Sequence, residues 1–412
     1  LQLAPAPQIM DAVQARESTR TITGLRGRLL DRAGRPIATS IPGWRVYVDP
    51  DVAEDAGTLG TIAFDLAPLL HRDPIDLDRP LHEAIARRPG TRFVPLTEPL
   101  PAEGVAAVRQ AIRQGRLPGV ALEPRPIREH HGGSLAAQLV GVTGFEGTGR
   151  TGLEFAWDHE LAGTDGRVRF RRSRSGRELW VGRGDHQPAE PGRDLALSID
   201  LVIQQIAEEE LRLGVGRCNA QGGRIVVADP RTGELLAAYD MLQHRPDLDV
   251  IMPSHRERLN PGPDGPPRIA QASRLATEPY EPGSTFKPFV WAILTEDGLS
   301  NPEEVLETPG GPPGIRIGRR IIRDAFYYGR SSWAKVLIKS MNSGMAIVAM
   351  RATHERLRER ILDFGFGSRT RVGIAGETPG LMSPAELWSD YTQQSVAMGH
   401  EIAVTPLQMV RA

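Results

Sequence analysis

Cysteine is nearly absent from this chain. A single one, Cys218, stands among 412 residues, which excludes an internal disulfide framework and any zinc site built on cysteines. Lysine is almost as scarce: among 50 Lys and Arg residues, the only lysines are Lys287, Lys335 and Lys339. Long apolar runs are missing too, and none approaches the roughly 20 residues that cross a bilayer. No charged stretch with an apolar region and cleavage site opens the chain. No block repeats at a fixed period, and nothing has the Gly-x-x-x-x-Gly-Lys form of a phosphate loop. The formal net charge is −1, so no global field favours nucleic acid. What is present, 40% hydrophobic and 25% charged residues, is the composition of a globular protein long enough for two or three domains. The first residue is Leu1 rather than Met, so an upstream segment is expected, and a membrane anchor is one candidate for it.

Against that background Ser284 and Lys287 stand out. They lie in Tyr280-Glu281-Pro282-Gly283-Ser284-Thr285-Phe286-Lys287-Pro288-Phe289. A serine three residues before a lysine puts both side chains on one face if the segment is helical. A serine hydroxyl becomes a useful nucleophile when a neighbouring base takes its proton. A lysine can be that base once burial lowers its pKa, and arginine cannot. A lysine in a chain that otherwise uses arginine therefore points to chemistry. Spacing alone is a weak signal, because Ser332-Trp333-Ala334-Lys335 repeats it. Context separates the two. A Pro-Gly turn precedes Ser284, and Phe289-Val290-Trp291-Ala292-Ile293-Leu294 follows Lys287, which predicts a buried helix entered through a tight turn. The second copy is expected to be an ordinary helix start with serine as its cap.

Residues 1–190 read as a patchwork of short apolar strands and turns, such as Trp44–Val48 and Leu139–Val142. The Gly, Pro, Asp and His residues between Arg183 and Arg193 read as a linker or long loop. In 191–412 the pattern is more regular. Ser198 or Asp200 can cap a helix whose face holds Ile203, Ile206, Ala207 and Leu211. The runs 224–228 and 234–238 flank Asp229-Pro230-Arg231-Thr232-Gly233, which predicts a hairpin. Helix, hairpin and buried helices together suggest an antiparallel sheet covered by helices, an α+β arrangement. The Pro-rich stretch Asn260–Pro267 reads as a surface connection, with a lid near the site as the alternative. The run Arg167–Arg174 alternates Val168 and Phe170 with arginines, which fits a half-exposed strand better than a nucleic-acid patch. Adjacent His130 and His131 point in different directions and make a poor metal pair.

Downstream lies Ser340-Met341-Asn342-Ser343-Gly344. A second hydroxyl can relay a proton to a leaving amine, and a carboxamide can hold a substrate amide with donor and acceptor together. Ser-x-x-Lys joined to such a Ser-x-Asn element, with a Lys-Thr-Gly, is the signature of penicillin-binding proteins and class A β-lactamases. The chain resembles a class B penicillin-binding protein, a monofunctional transpeptidase of bacterial cell-wall synthesis. The likeness runs nearly end to end. Arg26-Gly27-Arg28-Leu29-Leu30-Asp31-Arg32-Ala33-Gly34-Arg35-Pro36-Ile37-Ala38 is similar to the family's first signature. Gly152-Leu153-Glu154 with Leu161-Ala162-Gly163-Thr164 resembles its non-catalytic domain. Asp229-Pro230 with Thr232-Gly233-Glu234 resembles the opening hairpin of the transpeptidase domain. Phe364-Gly365-Phe366-Gly367 and Thr405-Pro406-Leu407-Gln408 resemble later landmarks. Tyr47-Val48-Asp49-Pro50 and Tyr280–Gly283 lean towards the division or sporulation branch.

The resemblance implies an extended, mostly β pedestal over 1–190 and a transpeptidase domain over 191–412. It implies peptidoglycan stem peptides as substrates and β-lactams as inhibitors. It assigns Ser284 as nucleophile, Lys287 as general base, neutral at rest, Ser340 as proton relay and Asn342 as the group orienting the donor peptide. No cofactor, metal or nucleic acid is implied. The expected partner is a membrane glycan polymerase, and the expected location is outside the cytoplasmic membrane, held by an N-terminal anchor. One departure stands out: no Lys-Thr-Gly occurs anywhere in the 412 residues. In the family it follows the Thr-Pro-Leu-Gln landmark, so the transpeptidase domain is expected to be truncated before it. A non-catalytic scaffold is the alternative. A serine β-lactamase is a weaker one, because the class A Glu-x-x-Leu-Asn pattern is absent and Glu257-Arg258-Leu259-Asn260 is one residue short.

Overall fold

The computed structural model describes residues 17–144, 146–172, 178–180, 186–242, 273–374 and 376–412. The chain divides into two compact units, Leu1–Leu197 and Ser198–Ala412. The Pro-rich stretch Asn260–Pro267, Glu257–Asn260, Ser173–Arg174 and Arg183–Asp185 lie outside the described residues.

Three small sheets frame the N-terminal unit. In one, Trp44–Val48 lies between Val94–Pro95 and Val120–Pro124. Its alternate residues Val46 and Val48 are fully buried, as the period of two requires. They meet the helices Ile62–Leu70, Pro74–Arg87 and Ala106–Arg113 in one core with Leu66, Leu77, Leu81 and Val108. Each such buried leucine contributes about 1.5–3 kcal/mol. The pedestal thus owes its largest core to helices, although strands and turns are what its sequence suggests. Asp73 starts the second of these helices by accepting from the Ile75 amide at 3.0 Å.

A second sheet orders Leu195–Ala196, Leu29–Leu30, Pro36–Ile41 and Ile127–His130, and its first pair is parallel. The third pairs Glu17–Ile22 with Gly166–Arg172, which is the strand expected from the alternating arginine run. A buried ionic knot lies in this unit. Glu154, with no exposed surface, receives Arg26 at 2.5 Å and Arg128 at 2.7 Å, and Arg26 also reaches Asp158 at 2.6 Å.

One local expectation changes. Leu139–Val142 is not a strand: Ala137–Val140 is a helical turn, and Gly141 leaves it at φ 82°. A Cβ on Gly141 would sit 2.0 Å from the Thr151 carbonyl oxygen, so this chain crossing takes only glycine. The described part of the expected linker or long loop is irregular beyond His186–Gln187 and is bonded into the N-terminal unit. His186 pairs with Val168, Gly192 N donates to Leu25 O at 2.8 Å, and Arg193 N donates to Glu160 O at 2.8 Å.

In the second unit the helix Leu201–Arg217 starts at Asp200, whose carboxylate accepts from Val202 N at 2.9 Å. The antiparallel hairpin Gly222–Ala228 and Leu235–Leu242 follows, with Ile225 opposite Tyr239. Gln204 staples helix to hairpin. Its Nε2 donates to Ala238 O at 3.1 Å, and its Oε1 accepts from Ala238 N at 2.9 Å. Beyond the hairpin, the helices Lys287–Glu296, Trp333–Ile338, Asn342–Ala349 and His354–Asp363 share a core that includes Phe286, Val290, Trp333, Val336, Met345, Leu357 and Phe366. Among the described residues, no helix is long and apolar enough to cross a membrane.

Candidate active site

Ser284 is exposed on a 3-10 turn, Gly283–Phe286, that runs directly into the helix Lys287–Glu296. Gly283 enters the turn at φ 56°, a conformation open to glycine. The turn is held from both sides. Below it, Phe286 packs edge-on against Phe366 at 5.0 Å, and Phe289 against Phe364 at 5.4 Å. Beside it, Gly283 N donates to Gly399 O at 3.0 Å, and Tyr280 and Val404 exchange backbone bonds at 2.9 Å. Glu281 accepts from the Glu401 amide at 2.8 Å and lies 3.3 Å from His400 Nδ1. The Glu401 amide, and then His400, hold the Glu281 carboxyl below its usual range.

Lys287 is buried, with 1% of its surface exposed. Its amine donates to Asn342 Oδ1 at 2.6 Å, Ser340 O at 2.7 Å and Ser340 Oγ at 3.2 Å. These acceptors match the three donors of an ammonium. Burial pulls the amine down to about 8, against a smaller upward pull from Asp324. At that value about a tenth of it is neutral at pH 7.

Ser340 offers both oxygens to Lys287 because its φ is 51°, left-handed backbone that costs a non-glycine residue about 1–3 kcal/mol. Asn342 opens the next helix and donates Nδ2 to Arg323 O at 3.0 Å, which aims its oxygen at Lys287. Its neighbour Ser343 is fully buried and gives both N–H, at 2.9 Å, and Oγ to the buried carboxylate of Asp324. One residue further, a Cβ at Gly344 would meet Val336 Cγ2 at 2.2 Å, so the helix approaches Trp333–Ile338 more closely than alanine allows.

Three of the four expected site residues, Lys287, Ser340 and Asn342, therefore meet through hydrogen bonds. Ser284 stands one helical turn away, and among the described residues no hydrogen bond joins its hydroxyl to Lys287. The second Ser-x-x-Lys is a helix start: Ser332 Oγ accepts from Lys335 N at 3.3 Å. Lys335 and Lys339 lie over the Tyr328 ring, 5.2 and 5.6 Å from its centre. Sequence reasoning misses Asp324, Glu281 and Gly399. The acid within Arg319–Asp324 has no spacing relation to the motifs, and the other two act through backbone partners more than a hundred residues away. Among the described residues, no cluster of three or more His, Cys, Asp or Glu side chains could hold a metal ion.

The site thus joins an exposed serine at a glycine turn, a buried amine one turn later and a Ser-x-Asn pair on that amine. Residues 223–412 match the penicillin-binding protein transpeptidase domain, and residues 21–197 match the penicillin-binding protein dimerisation domain. The chain is 31% identical over 387 residues to the peptidoglycan D,D-transpeptidase FtsI of Escherichia coli strain K12, across 94% of this chain and 61% of that protein. It is 34% identical over 305 residues to the penicillin-binding protein PbpB of Mycolicibacterium smegmatis, across 74% of this chain and 44% of that protein. Among solved structures, penicillin-binding protein 2 of Helicobacter pylori, in complex with MreC, superposes with a TM-score of 0.72 at 20% identity, over 95% of this chain and 75% of that one. Penicillin-binding protein 3 of Mycobacterium tuberculosis, complexed with aztreonam, gives 0.60 at 24% identity, over 95% and 63%. The chain belongs to the class B penicillin-binding proteins. It spans less than two thirds of either curated relative's length.

Proposed function

We propose that this protein is a peptidoglycan D,D-transpeptidase of the cell-division branch. The observation that carries the reading is the buried Lys287 amine, held by Asn342 and Ser340 one helical turn from an exposed serine. The neutral fraction of Lys287 takes the Ser284 proton as Oγ attacks the penultimate D-alanine carbonyl of a stem peptide. In this reading the Ser284 N–H supplies one donor to the developing oxyanion. The C–N bond to the terminal D-alanine breaks, and Ser340 passes a proton to that departing amine. An amine of a second stem peptide then attacks the ester, forms the cross-link and returns the proton to the Ser284 oxygen. A β-lactam acylates the same oxygen and stays, because its leaving amine remains tethered.

The likeness to a protein named FtsI supports the division branch. A membrane anchor, a site of action outside the cytoplasm and a membrane glycan polymerase as partner of the N-terminal unit belong to the same reading.

The test is peptide mass spectrometry after incubation with a penicillin, on this chain, a C-terminally extended form and Ser284→Ala in each. The expected result is an adduct on the Ser284 peptide that the alanine variant loses. No adduct on any form leaves the non-catalytic scaffold. An adduct that hydrolyses within seconds favours a β-lactamase.

A further inference from the structure

Asp324 is 8% exposed and makes no ion pair among the described residues, yet it receives two hydrogen bonds from one neighbour, Ser343. A buried carboxylate outside any direct ion pair is costly, so its place needs a reason. Both bonds fall on the first turn of the helix Asn342–Ala349, one from a backbone N–H that the helix itself leaves unpaired. That turn carries Asn342, whose oxygen holds Lys287 at 2.6 Å, and follows the left-handed Ser340, whose carbonyl holds it at 2.7 Å. The residue before Asp324 completes the frame, since Arg323 O accepts from Asn342 Nδ2.

We propose that Asp324 is a positioning residue of the acylation site: its carboxylate pins the start of the Asn342 helix so that Asn342 and Ser340 meet the Lys287 amine, and it is the fixed negative charge beside that amine. The inference rests on the transpeptidase reading above. The charge assignment has few competitors. Arg323 turns its guanidinium to Pro313 O, 3.4 Å away, and Lys335 and Lys339 sit over Tyr328. Burial lowers the Lys287 amine most, and the Asp324 charge pulls it the other way. It favours the ammonium, which keeps the triple hydrogen bond of the resting site, while burial opposes it. Substrate arriving over Ser284 thus finds a lysine that is ordered and close to losing its proton.

The test compares second-order acylation rates of a fluorescent penicillin against pH, in the C-terminally extended form, for wild type, Asp324→Asn and Ser343→Ala. Asparagine keeps an acceptor for Ser343 N but removes the charge. The acid limb is expected to move about one pH unit lower, with a plateau at least tenfold slower. Ser343→Ala keeps the charge and loses one anchor, so the plateau should fall while the midpoint stays. A midpoint unmoved in Asp324→Asn overturns the proposal whatever the plateau does. Should that variant fail to fold, a Ser343→Ala plateau equal to wild type overturns it. An unlabelled wild type overturns the transpeptidase reading instead, and this inference with it.

Discussion

Asn342 Oδ1 lies 2.6 Å from Lys287 Nζ, while the same side chain spends its nitrogen on Arg323 O, 3.0 Å away. A carboxamide fixed at both ends cannot flip to present its NH2 to the lysine. The arrangement therefore favours the ammonium, and catalysis draws on the minority that has lost a proton.

A pH profile follows. Lys287 titrates at about 8, lowered by burial. Acylation of Ser284 should rise about tenfold per unit below pH 7 and level off above about pH 8.5, the base being the deprotonated form. Lys287→Arg keeps a cation and its donors but cannot deprotonate. It should lose about 10²–10⁴-fold in acylation rate, with no rising limb up to pH 10. Stopped-flow labelling with a fluorescent penicillin measures both.

Gly399→Ala should unseat the nucleophile turn. Gly399 has φ 82°, and a Cβ there would stand 2.0 Å from Gly283 O. The backbone conformation alone costs about 1–3 kcal/mol for alanine, and the clash adds displacement of Gly283. Thermal melting should show the loss of stability, and penicillin labelling should fall further than the melting curve accounts for.

Phe366→Ala removes a fully buried ring that packs on Phe286 and Phe289. A loss of about 3–5 kcal/mol is expected, read by denaturant unfolding. The same change should slow acylation, since those rings support the turn that carries Ser284.

Glu154→Ala in the N-terminal unit leaves the Arg26 and Arg128 cations buried with their shared carboxylate gone. Burial already pulls the Arg128 guanidinium down from its usual value. Breaking such a pair from one side costs about 3–5 kcal/mol. Glu154→Gln should recover part of it, and calorimetry of the whole chain measures the difference.

The site is legible where chemistry restricts residue choice. Lys287 shows because the chain so seldom uses lysine, and the turn before Ser284 shows because Pro282 and Gly283 write it. The Asp200 cap and the 229–233 hairpin loop are likewise local, and local chemistry reads directly. What stays hidden depends on distance. The helices of the pedestal carry Pro68 and Pro80 inside them, and what holds them is the burial of Leu66, Leu77 and Leu81 in one core with Val46. Asp324 looks like one more surface acid until the fold brings Ser343 to it across a separation of 19 residues.

The parallel pairing of Leu29 with Leu195 has a consequence for how the molecule is made. The N-terminal unit cannot close its second sheet until almost its last residue has left the ribosome. Contacts so far apart in sequence carry a high loop-closure cost and form slowly. Meanwhile Leu29, without exposed surface in the finished unit, waits on an unfinished sheet edge. Binding by a holdase chaperone should therefore fall on the early strands and persist until about residue 196 is synthesised.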